Sequence, residues 1–305
     1  MIEVINTIIP IFVVIVLGIQ LRRMNYLPPA MLGPLNKLVF YLAIPAMIFR
    51  KIAGASFQDH FQPVILTGTL VPVVTVFALA LWTVSLRRVS KNVSGTFIQS
   101  SYHGNLGYIG LAVCFYFLGD EGLTRASILA GFLMLLQNLL SVIALQTASA
   151  SQAFHQTRFV IKKVLFNPVI ISAGAGILFS LFGLPLPVIV TRSLDIVSGM
   201  ALPLALLVIG ASLSFSLIRD HFSLALWTGG LKLILLPLLG LLLFKALGLE
   251  PAAFAPGLIL LAAPTATVTY VMAGEMGGSP DLASAAVALS TILSALSYLL
   301  WLSLI

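Results

Sequence analysis

Residues 95–117 read GTFIQSSYHGNLGYIGLAVCFYF. The stretch is close to the ~20 residues that carry a helix across a ~30 Å hydrocarbon core. Yet its middle holds His103, Gly104, Asn105, Leu106 and Gly107. Two glycines flanking an asparagine lower helical propensity where an uninterrupted span needs it most. A second apolar stretch is interrupted in the same way by Ala262-Ala263-Pro264-Thr265, where proline removes a backbone donor and clashes with the preceding turn. The natural reading is a broken helix in each half of the chain. In hydrocarbon the freed backbone groups must be met by protein or by a water-filled cavity, so such breaks belong in a bundle interior. Half-helix N-termini there carry unpaired N–H groups and partial positive charge, which hold a carboxylate without a buried Arg or Lys.

The rest of the chain supports a membrane setting. Of its 305 residues, 60% are hydrophobic and 8% charged, against roughly 45–50% and about 25% in soluble domains. Ten apolar runs fill nearly the whole sequence, at about 4–21, 34–52, 63–86, 95–117, 123–147, 160–182, 187–213, 222–247, 254–275 and 280–304. The first does not read as a signal peptide, because Glu3 stands where positive charge is expected and no small-residue cleavage site follows. The net charge of +7 fits basic cytoplasmic loops better than nucleic acid, since the charges are few and dispersed. Odd-numbered loops hold Arg22, Arg23, Arg87, Arg88, Lys91, Arg158, Lys162, Lys163 and Arg219; even-numbered ones hold Arg50, Lys51, Arg125 and Arg192. This bias places both termini on the non-cytoplasmic side of the cell membrane. The single cysteine, Cys114, allows no internal disulfide and no thiolate metal cluster.

Transporter folds are often built from repeats of inverted topology. Shifting the sequence by 158 lays runs 1 and 2 on runs 6 and 7, with Pro10 on Pro168, Gly18 on Gly176 and Pro45 on Pro203. A shift of 159 lays runs 4 and 5 on 9 and 10, with Asn105 on Pro264 and Gly119 on Gly278. The expected fold is therefore an all-α polytopic membrane protein, one domain over 1–305. It consists of ten transmembrane helices as a five-plus-five repeat (1–150 and 151–305), with helices 4 and 9 broken and crossing. Five helices per half force the repeat to be inverted.

Several motifs resemble the auxin efflux carrier family of secondary transporters, whose bacterial members include carriers proposed for malonate and malate. Asn36-Lys37-Leu38-Val39-Phe40 through Pro45, Asn105-Leu106-Gly107-Tyr108-Ile109-Gly110, Asn167-Pro168, Pro203-Leu204-Ala205-Leu206 with Gly210-Ala211-Ser212-Leu213, and Ala263-Pro264 through Ser279-Pro280-Asp281 carry the likeness. None is specific alone; their order and spacing are. The resemblance implies crossing broken helices, a scaffold helix pair, and a substrate site that alternates between membrane faces. Two departures stand out. The family's crossover usually has a proline shortly after the asparagine, where this chain has Leu111-Ala112, so the helix 4 break is expected to be the milder one. The long hydrophilic loop of many plant members is missing: loop 5 spans about a dozen residues around His155.

The candidate substrate contacts are Asn105, Gly107, Pro264, Thr265, Gln137, His103 and Lys232. The Asn105 amide can donate to a carboxylate alongside the N–H groups that follow it, Gly107 among them. Thr265, after the proline of the matching break, offers a hydroxyl. Gln137 and Asn138 are adjacent, so one of them faces the cavity, and the family resemblance favours Gln137. A histidine ordinarily titrates near neutral pH, so His103 would suit proton coupling, against the plainer reading of a histidine hydrogen-bonded in the interior. Lys232 is the ionised side chain deepest in a run, a rare placement that is usually functional, although it lies on helix 8, which does not cross. Asp195 and Glu275 read as interfacial.

No Walker A loop, zinc motif or intramembrane acid pair is present, so no catalytic residue, metal or cofactor is expected. The favoured function is secondary transport of a small organic anion. The runner-up is sodium-coupled transport of a bulkier amphipathic anion, as in bile acid symporters, and an intramembrane enzyme ranks third. The expected partners are the anion and the lipid bilayer, with no nucleic acid. A coupling H+ or Na+ and a homodimer stay open.

Overall fold

The computed structural model describes residues 2–87, 89–146 and 166–305. The loop 5 residues Arg158, Lys162, Lys163 and His155, together with Arg88, lie outside them. Among the described residues the chain is all helix, apart from turns and a single isolated bridge. The helices are α1 (Ile2–Arg23), α2 (Pro29–Ala53), α3 (Pro63–Arg87), α4 (Lys91–Tyr102), α5 (Leu106–Gln146), α6 (Pro168–Leu181), α7 (Val188–Ser212), α8 (Ile218–Ala246), α9 (Pro251–Ala262), α10 (Val268–Glu275) and α11 (Pro280–Leu302). Seven of these (α1, α2, α3, α5, α7, α8 and α11) are long and apolar enough to cross a membrane, and α6 and α9 are shorter apolar helices. Arg50, near the end of α2, pairs with Asp195 of α7 at 2.8 Å. The protein is a multi-pass membrane protein.

Proline sets many of the boundaries. Helices α2, α3, α6, α9 and α11 all begin at one, where its missing N–H costs nothing. Asn167 and Ser279 cap α6 and α11, their side-chain oxygens accepting from Val169 N (2.9 Å) and Leu282 N (3.2 Å). Inside α2 and α8, wide π-turns at Val39–Ala43 and Leu231–Leu235 precede Pro45 and Pro237. A proline cannot donate to the carbonyl four residues back and its ring crowds that oxygen; a π-turn lets the chain pass. The Leu233 carbonyl freed by Pro237 accepts from Ser297 Oγ at 3.0 Å and Trp301 Nε1 at 2.8 Å. Such freed carbonyls need partners where water is scarce.

Helix α5 spans 41 residues, about 60 Å if straight and twice the hydrocarbon thickness. It breaks at Gly119 (φ 69°, ψ −159°), a conformation open to glycine and hardly to other residues. Runs 4 and 5 of the sequence thus meet at one residue instead of a loop.

Glycines bring two helix pairs close. A Cβ at Gly18 of α1 would lie 2.3 Å from the Leu207 carbonyl oxygen of α7, and one at Gly210 would lie 1.9 Å from Ile15 O. Likewise a Cβ at Gly176 of α6 would lie 2.9 Å from Ile52 Cβ and 3.3 Å from Phe49 O of α2. Arg22 donates to Ala211 O (2.8 Å) and Leu213 O (3.2 Å) at the end of α7, while the Ser180 hydroxyl donates to Ala55 O at the end of α2.

Gly210→Ala is expected to push α1 and α7 apart, at a cost of about 1–3 kcal/mol for overpacking, and to lower the thermal midpoint of the detergent-purified protein. Gly33→Ala, at a position with nothing within 4 Å, is the control and should be neutral or slightly stabilising.

Candidate functional site

The two interruptions lie side by side. Helix α4 ends at Tyr102, and residues 103–105 are unwound before the π-turn Leu106–Gly110 that opens α5. Helix α9 ends at Ala262, and residues 263–267 are unwound before α10. The first break is shorter, in keeping with the absence of a proline after Asn105. They pair as a small antiparallel bridge: Asn105 N donates to Pro264 O at 2.7 Å, and Ala266 N donates to His103 O at 2.9 Å. Each break thus supplies what the other lacks.

The carbonyls released at the ends of α4 and α9 are met by side chains. Thr265 Oγ1 donates to Ser100 O at 3.0 Å, Gln137 Nε2 to Tyr102 O at 3.3 Å, and Lys232 Nζ to Leu261 O at 2.7 Å. The lysine is fully buried. Its ammonium sits at the C-terminal end of α9, where the helix dipole is negative, and a Cβ added at Gly104 would lie 3.2 Å from Nζ. The sequence reading set helix 8 apart from the crossing. Helix 8 does not cross, but around Lys232 it packs against α4 and α9, and the lysine stem puts the charge beside both breaks.

The N-terminal side of the π-turn differs. Leu106 N bonds Gly104 O at 2.9 Å, Tyr108 N bonds Asn105 Oδ1 at 3.3 Å, and Ile109 N and Gly110 N share Asn105 O. The Gly107 amide falls outside this set. A side chain at Gly107 would meet Met134 Cε at 3.4 Å and Ile44 Cδ1 at 3.8 Å, ordinary contacts with flexible side-chain ends. Asn105 is buried at 6% exposure, and its Nδ2 has no hydrogen-bond partner among the described residues. A buried donor left unpaired costs about 1–3 kcal/mol.

His103 and Gln137 belong to one network. His103 Nδ1 and Tyr102 OH both meet Ser141 Oγ, at 2.8 and 3.1 Å, and Ser141 Oγ donates to Gln137 O at 2.7 Å. Gln137 Oε1 is left without a partner. Thr265 is held at both ends, since Ser290 Oγ accepts its N–H at 3.1 Å. Sequence reasoning missed Ser141, Ser290 and the Tyr108–Asn36 bond at 2.6 Å. The serines carry no pattern that sets them apart from packing residues, although Asn36 and Tyr108 both stood in quoted motifs.

A family model described as "Membrane transport protein" matches residues 3–302, nearly the whole chain. The chain belongs to this family, the auxin efflux carrier family. Similar proteins include an "Uncharacterized transporter" of Methanothermobacter thermautotrophicus, 28% identical over 302 residues, covering 97% of this chain and 96% of the relative. Another, named "Putative malonate transporter", comes from Rhizobium meliloti and is 25% identical over 306 residues, covering 96% and 93% of the two chains. The protein is a membrane transporter; family and relatives are named as transporters, not enzymes.

Thr265→Val keeps the shape but removes the donor to Ser100 O. The loss is expected to cost about 1–3 kcal/mol and to lower the thermal midpoint of the ligand-free protein; an unchanged midpoint would show that the hydroxyl does not hold the crossing.

Proposed function

We propose that the protein is a secondary transporter of a small carboxylate, bound where the two breaks meet and released to alternate faces of the membrane. The observation that carries this reading is the buried Asn105 amide at the opening turn of α5, whose Nδ2 has no partner among the described residues; the Lys232 ammonium lies beside Gly104, one residue before it. A carboxylate there would accept from Asn105 Nδ2 and the Gly107 N–H, and would lie near a cation with two hydrogens still to donate. Thr265, Pro264, Gln137 and His103 act mainly by holding the crossing in shape, since their recorded bonds are to protein groups. The relative's printed name makes malonate the first anion to try.

Alternation follows from an inverted repeat of residues 1–150 and 151–305, ten helices in all. Supporting it, Gly18 with Leu207 and Gly176 with Phe49 are the same contact displaced by 158, and Arg22 to Leu213 and Ser180 to Ala55 are the same cap at the same displacement. Asn105 and Pro264, one on the other at a shift of 159, meet directly in the bridge. On this reading α4 with 106–118 and α9 with α10 are broken crossings, both termini share the non-cytoplasmic face, and the halves rock about the crossing.

The sodium-coupled alternative needs a cluster of free oxygens beside the crossing. Backbone carbonyls of Ser100, Tyr102, His103, Gly104, Asn105, Leu261 and Pro264 accept from protein donors; the side-chain oxygens Gln99 Oε1, Ser100 Oγ and Gln137 Oε1 have no partner among the described residues, but Lys232 already brings positive charge there. The anion carrier is favoured.

Malonate is expected to raise the thermal midpoint of purified wild-type protein, equally in sodium and in choline; at 100 times Kd the gain is about 2.7 kcal/mol. Asn105→Ala should abolish the shift while keeping the unliganded midpoint and elution profile. An undiminished shift would overturn the site assignment. Pro264→Ala restores a backbone donor and partly mends the break, so it should slow turnover while leaving binding within about threefold.

A further inference from the structure

Among the described residues Lys232 is the one buried side chain that carries a charge in water at neutral pH. Its hydrogen-bond partner is a neutral carbonyl, Leu261 O at 2.7 Å. No acid shares the interior with it, because all nine Asp and Glu side chains are exposed. An ammonium taken out of water without a counter-ion is so costly that such groups commonly give up the proton instead. A neutral amine fits the same place, since it can still donate to the Leu261 carbonyl.

The surroundings hold few groups that could share the charge. The π-turn Leu231–Leu235 that bears the lysine packs against α3, α4, α9 and α11. Helix α9 has no titratable side chain, and α3 has only Arg87, at its end over Trp227. Helices α4 and α11 bring Lys91 and Asp281 at their starts, with Tyr102 bonded to Ser141 Oγ and Tyr298 donating to Ile259 O. On α8 itself Arg219, Asp220, His221 and Lys245 lie near the ends. His103, just past α4, is close enough for a charge on Lys232 to act on it, and its Nδ1 meets Ser141 Oγ at 2.8 Å. It is the rival carrier of a proton.

We propose, on the carboxylate reading for the anion, that Lys232 carries the proton of a proton–carboxylate symport: an ammonium while the anion is bound, a neutral amine while the site is empty. The carboxylate enters as an anion and water on that face gives a proton to the amine. On the other face the carboxylate leaves as an anion and the ammonium returns its proton to water. One proton thus crosses with each anion, and the empty carrier reorients without an unpaired charge at membrane depth. Lys232 is placed for this because its Nζ rests on the end of α9 and lies 3.2 Å from where a Cβ at Gly104 would stand, beside both breaks.

The test is calorimetry of malonate binding to the purified protein in two buffers of different ionisation enthalpy, which counts the protons taken up per anion. Between about pH 7 and 9 a carboxylate brings no proton of its own. Over that range the wild type is expected to take up as much as one proton per malonate and to bind up to tenfold more weakly for each unit of rising pH. Lys232→Arg fixes the charge, so its affinity should stay flat with no proton taken up, whereas His103→Gln should keep the wild-type count. Proton uptake that persists in Lys232→Arg, or is lost in His103→Gln, would overturn the proposal.

The ligand-free protein gives a second reading, which also serves if Lys232→Arg does not fold. The unfolded chain keeps this lysine protonated over the same range and the empty folded site does not, so unfolding takes up a proton and stability rises with pH. The wild-type thermal midpoint should therefore climb by several degrees relative to Lys232→Met; parallel midpoints would overturn the proposal. If malonate binds with no proton taken up, the symport fails and the carboxylate site stands. If malonate does not bind while the midpoints diverge, the carboxylate reading fails and the protonation change at Lys232 stands.

Discussion

Hydrocarbon offers no hydrogen bonds, so a helix broken at membrane depth must find partners for every group it releases. The Asn105–Pro264 and Ala266–His103 bonds answer part of that demand by laying one break along the other, so that each break contributes one amide and one carbonyl to the pairing. Thr265, Gln137 and Lys232 answer the rest, each donating to a carbonyl at the end of a half-helix. Around this crossing the helices are arranged so that side chains from α5, α8 and α11 all reach it.

The partners are not symmetric in charge. The C-terminal ends of α4 and α9, which would attract a cation, are met by a hydroxyl, an amide and an ammonium. The opening turn of α5 keeps an amide side chain without a partner. Gln99 Oε1, Ser100 Oγ and Gln137 Oε1 also lack partners among the described residues, so the proposed preference for an anion over a metal cation rests on the Lys232 charge. A buried ammonium with no carboxylate recorded beside it is costly by itself, and an incoming carboxylate would relieve it. In a carrier that cost is useful, because the empty site is then less stable than the loaded one.

Much of this was legible in the sequence. Composition gave the membrane class, and the pairing of Asn105 with Pro264 at a shift of 159 pointed to two residues that turn out to be hydrogen-bonded. Among the described residues the apolar runs lie close to the helices, except that the turn at Gly119 is tighter than a loop between runs 4 and 5 and that the helix of run 6, read from 160, is described from Pro168. What the sequence could not tell was which released carbonyl each side chain would meet. Thr265 read as a donor to substrate, but its hydroxyl is spent on Ser100, a residue on a different helix 165 positions earlier. Lys232 read as a candidate anion contact on a helix that does not cross; the sequence could not tell that its ammonium would rest on Leu261 O at the end of α9.

The most direct test of an anion site that carries its own cation is uptake of labelled malonate into proteoliposomes made without sodium. With choline inside and out, uptake should match that in sodium within experimental error, and Lys232→Met should reduce it at least tenfold in both media. Uptake that requires sodium in the wild type, or survives intact in Lys232→Met, would contradict it.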